Sequence, residues 1–361
     1  MAKRASSSSG GLNIDLLKRL CETPGIPGRE ERVRALIEKE VKGLFDSVET
    51  DAMGNLICRR DPRGSSKQGP TKVMLASHMD EIGFYVSHID DDGFIRLNAA
   101  GGFDTRNLFS RRVLVCTKTK DIKGVMNPGG RPIHIASEED KKKIPEVKEF
   151  MVDIGLSGDE VKKLVRIGDM VVMDEPLIEV GNKVVSKALD NRFACWVAIE
   201  CVRAIDAAKA NHACELWVAF TVQEEVGLRG AKTASNFVQP DIGIGLDVSL
   251  SCDTPGVPKE EAVNHQGKGV GLHIMDSSFI AHAGLIDELE DHAKKNKIDY
   301  QRTILARGGQ DGAAMQQAMT GAKAAGLVVG TRYIHTVTEM IDTRDLAACR
   351  DLLAKWIPTV K

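Results

Sequence analysis

Two adjacent carboxylates, Glu224 and Glu225, sit in the stretch Thr221-Val-Gln-Glu-Glu-Val-Gly-Leu-Arg-Gly-Ala231, directly after the apolar run 215–222. Such a run reads as a buried strand of a parallel sheet. Gly227 and Gly230 then break the pattern before a short helix. Open α/β sheets hold their ligands beyond the carboxyl ends of the strands. Successive side chains on an extended backbone face opposite ways, so one glutamate can bind a metal while the other handles a proton. An isolated Glu-Glu pair is more often a solvated acidic turn. Other segments shift that balance, because each ends an apolar run on a potential metal ligand.

The run 72–77 ends in His78-Met-Asp80-Glu81. His78 and Asp80, two residues apart, face the same side of an extended backbone. A carboxylate beside a ligating histidine fixes its tautomer and raises its basicity. Residues 184–188 lead to Asp190, which could equally cap the helix after it. The run 241–246 ends in Asp247, and the run 323–329 is followed by Thr331-Arg-Tyr-Ile-His335-Thr336. Two imidazoles with several carboxylates and no thiolates suit a catalytic rather than a structural zinc site. Five such ligands can hold two metals about 3.5–4 Å apart when one carboxylate bridges, leaving a sixth group free as a base. Spacing alone leaves open which residue plays which part.

The elements that must position these residues change character along the chain. Helices are expected over 13–23 and 30–45, a hairpin over 47–50 and 56–59, and a buried strand over 72–77. From Gly83 the pattern turns to short strand-like runs at 84–89, 94–97, 113–117, 122–126 and 170–173, the mark of a β-rich insertion. The turn Asp90-Asp-Asp92-Gly93 lacks the downstream glutamate of a calcium loop and reads as a hairpin. The charged segment 137–150 reads as a solvated face. Helix–strand alternation resumes with a helix to about residue 208, where Phe193, Val197, Cys201 and Ile205 form a buried stripe. Strands are expected at 270–275, 300–306 and 323–329, and helices at 281–295, 308–318 and 345–356. The fold class is therefore α/β, with a catalytic domain over 12–80 and 181–361 interrupted by an insertion over 81–180. The Ser/Gly-rich residues 1–11 are expected to be a disordered tail.

A chain of 361 residues can hold two domains of ordinary size. A net charge of −2 gives no electrostatic case for nucleic acid or an anionic membrane. Nor does any apolar stretch of about 18 residues offer a membrane span. The eight cysteines form no C-x-x-C pair, and most lie in apolar runs, which suits a reducing cytoplasm.

Five segments, in order, carry a resemblance. They are Ser77-His-Met-Asp-Glu-Ile-Gly-Phe84, Ala188-Leu-Asp-Asn-Arg192, Gln223-Glu-Glu-Val-Gly-Leu-Arg-Gly230, Gly245-Leu-Asp-Val248 and Thr331-Arg-Tyr-Ile-His-Thr336. Together they resemble the tetrahedral aminopeptidases, which include the glutamyl aminopeptidases, family forty-two of the co-catalytic dimetal metallopeptidases. The resemblance runs from about residue 14 to 353 and also takes in Asp253-Thr-Pro-Gly256 and Gly267-Lys-Gly269. It implies a dimetal-exopeptidase (phosphorylase/hydrolase-like) domain with a β-barrel-like insertion. It also implies two divalent ions, zinc first and cobalt or manganese as alternatives. His78, Asp190 and Asp247 would hold one ion and Asp190, Glu225 and His335 the other, with Asp190 as the bridge. Glu224 would be the general base and Asp80 the partner of His78. Short peptides would be the substrates, and pairing through the insertion would build a homo-oligomer, commonly a hollow dodecamer. The sequence departs from its relatives at Gln310, in a segment where Gly-Gly-Thr-Asp is usual. That residue stands beside Asp311 in a loop expected to line the site, and so bears on substrate preference.

Rival readings make different demands. A related dimetal deacylase or carboxypeptidase would prefer blocked amines or free C-termini. A glycosidase needs two carboxyl groups across a sugar bond and has no use for His78 and His335. A peptide-binding scaffold would bind without turnover.

Overall fold

The computed structural model describes residues 11–65 and 69–361, so nearly all of the tail expected at 1–11 lies outside the described residues. The chain opens with helices α1 (Ile14–Glu22) and α2 (Glu31–Glu40), then strands β1 (Ser47–Thr50), β2 (Leu56–Arg60) and β3 (Lys72–His78). Strands β4 (Gly83–Ile89), β5 (Ile95–Ala100), β6 (Arg111–Cys116), β7 (Asp121–Pro128) and β8 (Phe150–Asp153) precede helix α3 (Gly158–Leu164) and β9 (Met170–Met173). Next come β10 (Ile178–Val180), β11 (Lys183–Ser186), α4 (Leu189–Ala207), β12 (Glu215–Thr221), α5 (Arg229–Val238) and β13 (Ile242–Leu250). The remainder runs through β14 (Val270–Met275), α6 (Ala283–Asn296), β15 (Tyr300–Ile304), α7 (Gly312–Gln316), β16 (Lys323–Thr331), β17 (Glu339–Asp342) and α8 (Thr343–Trp356).

An eight-stranded sheet in the order β1-β2-β12-β3-β13-β16-β14-β15 forms the centre. Strands β12, β3, β13 and β16 are mutually parallel. Period-2 alternation sorts their side chains between two layers. Val73, Leu75, Leu216, Val218 and Phe220 face the main core with α1, α4 and α8. Met74, Ala76, Trp217 and Ala219 face a smaller one with Ala234 and Val238 of α5 and Met315 of α7. Both faces are covered, which is why these strands read as continuous apolar runs.

Strands β4 to β9 close into a six-stranded barrel in the order β4-β5-β8-β7-β6-β9, around a separate core that includes Phe84, Val113, Phe150 and Val171. Strand β11 pairs with β10 on one side and β17 on the other in a small third sheet, and Leu177 already belongs to the main core. No helix among the described residues is long and apolar enough to cross a membrane.

The structure corrects three expectations. The helix expected over 30–45 stops at Glu40, because Gly43 takes φ +82°, a conformation that ends helices. Strand β8 and helix α3 have no counterpart among the expected elements; α3 has seven residues, too few to show a period, although Glu160 accepts a hydrogen bond from Ser157 N at its start. Asp247 lies inside β13 rather than at a strand terminus, because residues 247–250 continue to pair with 328–331 of β16. On its other side β13 pairs with β3 only as far as Gly245, so the edge beside Asp247 is open.

Candidate active site

Pairing of β3 with β12 sets His78 opposite Thr221, so the Gln223–Glu225 turn leaves the sheet beside the histidine. Asp247 comes from the open edge of β13. Asp190 comes from the start of α4, where it and Asn191 are not helical, and His335 comes from the loop after β16. One ligand atom from each of His78, Asp190 and Asp247 lies within 4.8 Å of the others, and the same holds for Asp190, Glu225 and His335.

Asp190 belongs to both groups through different oxygens. Its Oδ1 is 3.2 Å from His78 Nε2, and its Oδ2 is 3.3 Å from His335 Nε2. His335 Nε2 is also 3.4 Å from Glu225 Oε2. The far nitrogen of each ring meets a main-chain carbonyl, which can only accept. His78 Nδ1 donates to Asp80 O at 3.0 Å, and His335 Nδ1 donates to Gly102 O at 2.9 Å. In the neutral rings both Nε2 lone pairs therefore face the carboxylates, the arrangement a metal ligand needs. Glu224 belongs to neither group; its Oε2 lies 3.7 Å from His78 Nε2.

So many acids in one buried volume disturb one another. Burial, reinforced by the Asp247, Glu225 and Asp311 charges, lifts the Glu224 pKa well above the ordinary range. Burial with the Asp190 and Asp311 charges does the same to Asp247. Burial also raises Asp190, but hydrogen bonds from His335 and His78 outweigh it and hold this carboxyl low. Burial opposes charge on His335, yet its contacts with Asp190 and Glu225 carry it up to about 12. The cluster thus calls for positive charge. Glu225 Oε1 is buried with no hydrogen-bond partner, an acceptor that a cation would satisfy. An all-oxygen-and-imidazole donor set of this kind fits divalent ions.

The residue-level expectations meet different outcomes. The structure brings His78, Asp190, Glu224, Glu225, Asp247 and His335 together. Asp80 approaches His78 Nδ1 with its carboxylate only to 3.5 Å. Its two oxygens instead accept from Glu224 N and Glu225 N, each at 3.1 Å, so it orients the acidic turn first. Gln310 does not line the site. It is buried, and its amide lies against Gly245 and Gly326, where an added Cβ would come within 1.9 and 2.2 Å of it. Side-chain volume thus fills the space two strand glycines leave.

The sequence profile described as M42 glutamyl aminopeptidase matches residues 54–352. The chain belongs to that family. The lysyl aminopeptidase of Pyrococcus furiosus is 31% identical over 340 residues, covering 92% of this chain and 93% of that protein. Among solved structures, aminopeptidase APDkam598 from the archaeon Desulfurococcus kamchatkensis superposes with TM-score 0.89 at 35% identity, covering 96% of this chain and 94% of that one. The TET1 peptidase of Pyrococcus horikoshii, which can assemble into a tetrahedron or a large octahedral shell, gives TM-score 0.83 at 30% identity, covering 95% and 98%.

Within this M42 framework three further carboxylates, given no role by sequence reasoning, brace the site. Glu339 accepts from Asp190 N at 3.0 Å and from His335 N at 2.8 Å. Glu30 accepts from Gln223 N at 3.0 Å. Asp311 accepts from Thr221 Oγ1, and burial raises its pKa to about 6. Glu30, Asp311 and the Glu339 contact with Asp190 reach groups distant in sequence, so no local pattern announces them. The segments around the site carry unusual backbone: Ala188, Gln223, Leu228, Tyr333 and His335 all have φ between 55° and 60°, where non-glycine residues are strained.

Two cavities flank the cluster. A narrow slot of about 20 Å³ under Phe103, Leu108, Met173 and Val337 has room for about one water. Its Glu81 is locked to Lys187 at 2.6 Å and faces Arg192 at 3.4 Å. The other is open, about 500 Å³, and reaches from Glu224 and Asp247 past Leu228 and Leu250 to the loop at Leu305 and Arg307.

Proposed function

We propose that this chain is a two-metal aminopeptidase that removes the N-terminal residue from short peptides. The observation that carries the reading is Asp190, which turns one oxygen to each histidine Nε2. His78, Asp190 and Asp247 would hold one ion and Asp190, Glu225 and His335 the other, zinc before cobalt or manganese. When bound, such a pair supplies Lewis-acid polarisation of the scissile carbonyl and a water acidified towards neutrality.

The protein residues do the rest. The open cavity receives the peptide, because the narrow slot holds no more than a water. Glu224, free of both groups and beside His78, accepts the proton of the attacking water on a carboxylate oxygen. It then passes that proton to the leaving amine nitrogen. Asp80 fixes the backbone of Glu224 and Glu225 together, so base and ligand keep their separation. Glu339 does the same for Asp190 and His335.

We also propose a catalytic domain over 12–80 and 181–361 and an insertion over 81–180. The pairing of β10 with β11 favours moving the second boundary to about residue 175. The assemblies named for the Pyrococcus horikoshii relative support a homo-oligomer, and we infer a dodecamer of paired subunits.

The test is release of the first residue from free and N-acetylated short peptides, before and after chelation. Turnover of free-amine peptides alone, lost on chelation and restored by metal, supports the reading. Glu224→Gln should lower kcat by about 10²–10⁴-fold with metal content unchanged. Preference for the acetylated set would transfer the site to a deacylase, and binding without turnover would make it a scaffold.

A further inference from the structure

The open cavity has an uneven wall. Four acids, Asp190, Glu224, Glu225 and Asp247, crowd its floor, while Leu228, Val248, Leu250, Leu305 and Ile334 make much of the rest. Among the described residues that line it, Arg307 is the one lysine or arginine. Its guanidinium forms no ion pair with any described carboxylate. Unengaged positive charge on an apolar wall is an unused recognition group: arginine donates in a fork that matches a carboxylate.

The loop that carries it is anchored on both sides. Leu305 N donates to Met275 O at 2.9 Å, and Ser277 Oγ donates to Gly308 O. Arg307 therefore leaves the backbone from a defined position between two fixed points. The loop brings Arg307 into the same cavity as Glu224 and Asp247, so a peptide bound over those acids shares that space with the guanidinium. The narrow slot cannot take a side chain, so the first residue of a peptide and its successors all lie on the Arg307 side.

We propose that Arg307 receives a carboxylate of the substrate and so sets its preference within the aminopeptidase reading, on which this inference rests. Two sources present that chemistry: the side chain of an acidic first residue, or the C-terminal carboxylate of a dipeptide. In the first case lysyl and arginyl first residues are disfavoured, since Arg307 repels them where no acid outside the floor offsets it.

The experiment compares kcat/KM ratios in wild type, Arg307→Ala and Arg307→Lys. The first arm uses glutamyl-, leucyl- and lysyl-p-nitroanilide, which lack a C-terminal carboxylate. The second compares Leu-Ala with its C-terminal amide. If the acidic side chain is the ligand, the glutamyl-to-leucyl ratio falls about tenfold or more in Arg307→Ala. The lysyl-to-leucyl ratio rises, and Arg307→Lys keeps part of the preference. If the C-terminus is the ligand, the ratio of Leu-Ala to Leu-Ala amide falls by a similar factor instead. Both ratios staying within twofold of wild type would overturn the proposal. Calorimetric binding of free glutamate, leucine and the dipeptide Leu-Ala reads the same contact without turnover. A wild type that cleaves no free-amine peptide would sink the aminopeptidase reading. The Arg307 contact would then stand or fall on whether Arg307→Ala changes the binding ratios.

Discussion

His78 and Asp247 stand on neighbouring parallel strands, whereas Glu225 and His335 stand on loops. The register of β3 against β13, from Val73/Ile242 to Ala76/Gly245, fixes the separation of the first pair through sheet hydrogen bonds. The second pair needs added devices. Asp80 holds the Glu225 backbone, Glu339 holds the His335 backbone, and Gly102 O from the barrel side steers the His335 ring. Burial follows the same division: the His78 side chain is 1% exposed and that of His335 30%. A ligand set by strands is positioned by the fold itself, while a ligand set by loops depends on individual contacts that single substitutions can remove.

The largest expected effect erases the comparison. Asp190→Ala removes the residue both groups share and should lower kcat/KM by roughly 10³-fold or more. Metal analysis of the purified variant should find both ions depleted. Retention of either ion at wild-type affinity would mean that the two groups do not depend on a common carboxylate.

Next, Asp247→Ala and His335→Ala should separate the halves. Each should cost about 10²-fold or more in kcat/KM, with different metal inventories. His335→Ala leaves the strand-set group intact and should keep one tightly held ion through dialysis against dilute chelator. Asp247→Ala leaves only the loop-set group and should lose its ion readily. Equal retention in the two variants would show that strand framing confers no advantage.

A subtler change tests the braces. Glu339→Gln keeps one acceptor but turns an amide group toward either Asp190 N or His335 N, leaving one donor unpaired at a cost of about 1–3 kcal/mol. Its metal affinity should fall about 10–100-fold in the loop-set group, where Glu339 holds two of the three ligands, and less in the strand-set group, which it reaches only through Asp190 N. Isothermal titration of the metal-free protein would resolve the two steps. A uniform loss across both would place Glu339 in general stability instead.

The same division governs how much could be read from the chain. His78, Glu224 and Glu225 were legible because apolar strands end where they begin, and strand ends of parallel sheets converge. Asp247 was legible as a residue but not as a mid-strand one, since nothing local reveals that 247–250 keep pairing with β16. The α/β frame, with helices on both faces of its sheet, and the barrel-like insertion left periodic signals of their own. Glu30, Glu339 and Asp311 left none, because their contacts with Gln223, Asp190 and Thr221 exist only after folding. Gln310 shows the converse: a departure in a site-lining motif suggests altered specificity, whereas its side chain packs against Gly245 and Gly326.

The smallest predicted effect lies in two adjacent glycines of the barrel-side loop. Gly102 supplies the carbonyl that His335 Nδ1 meets, and a Cβ there would sit 3.8 Å from that nitrogen, an ordinary contact. Gly102→Ala keeps the carbonyl and should change kcat/KM by no more than about threefold. Gly101 has φ +98°, and its Cβ would come within 2.5 Å of Ile82 Cγ2. Gly101→Ala must therefore strain the backbone or displace Ile82, at about 1 kcal/mol or more, and the neighbouring carbonyl moves with it. Metal affinity of the loop-set group should fall about tenfold in Gly101→Ala and stay near wild type in Gly102→Ala. Should both variants behave alike, the barrel-side carbonyl would not be what orients His335, and the loop-set half would owe its geometry to Asp80 and Glu339.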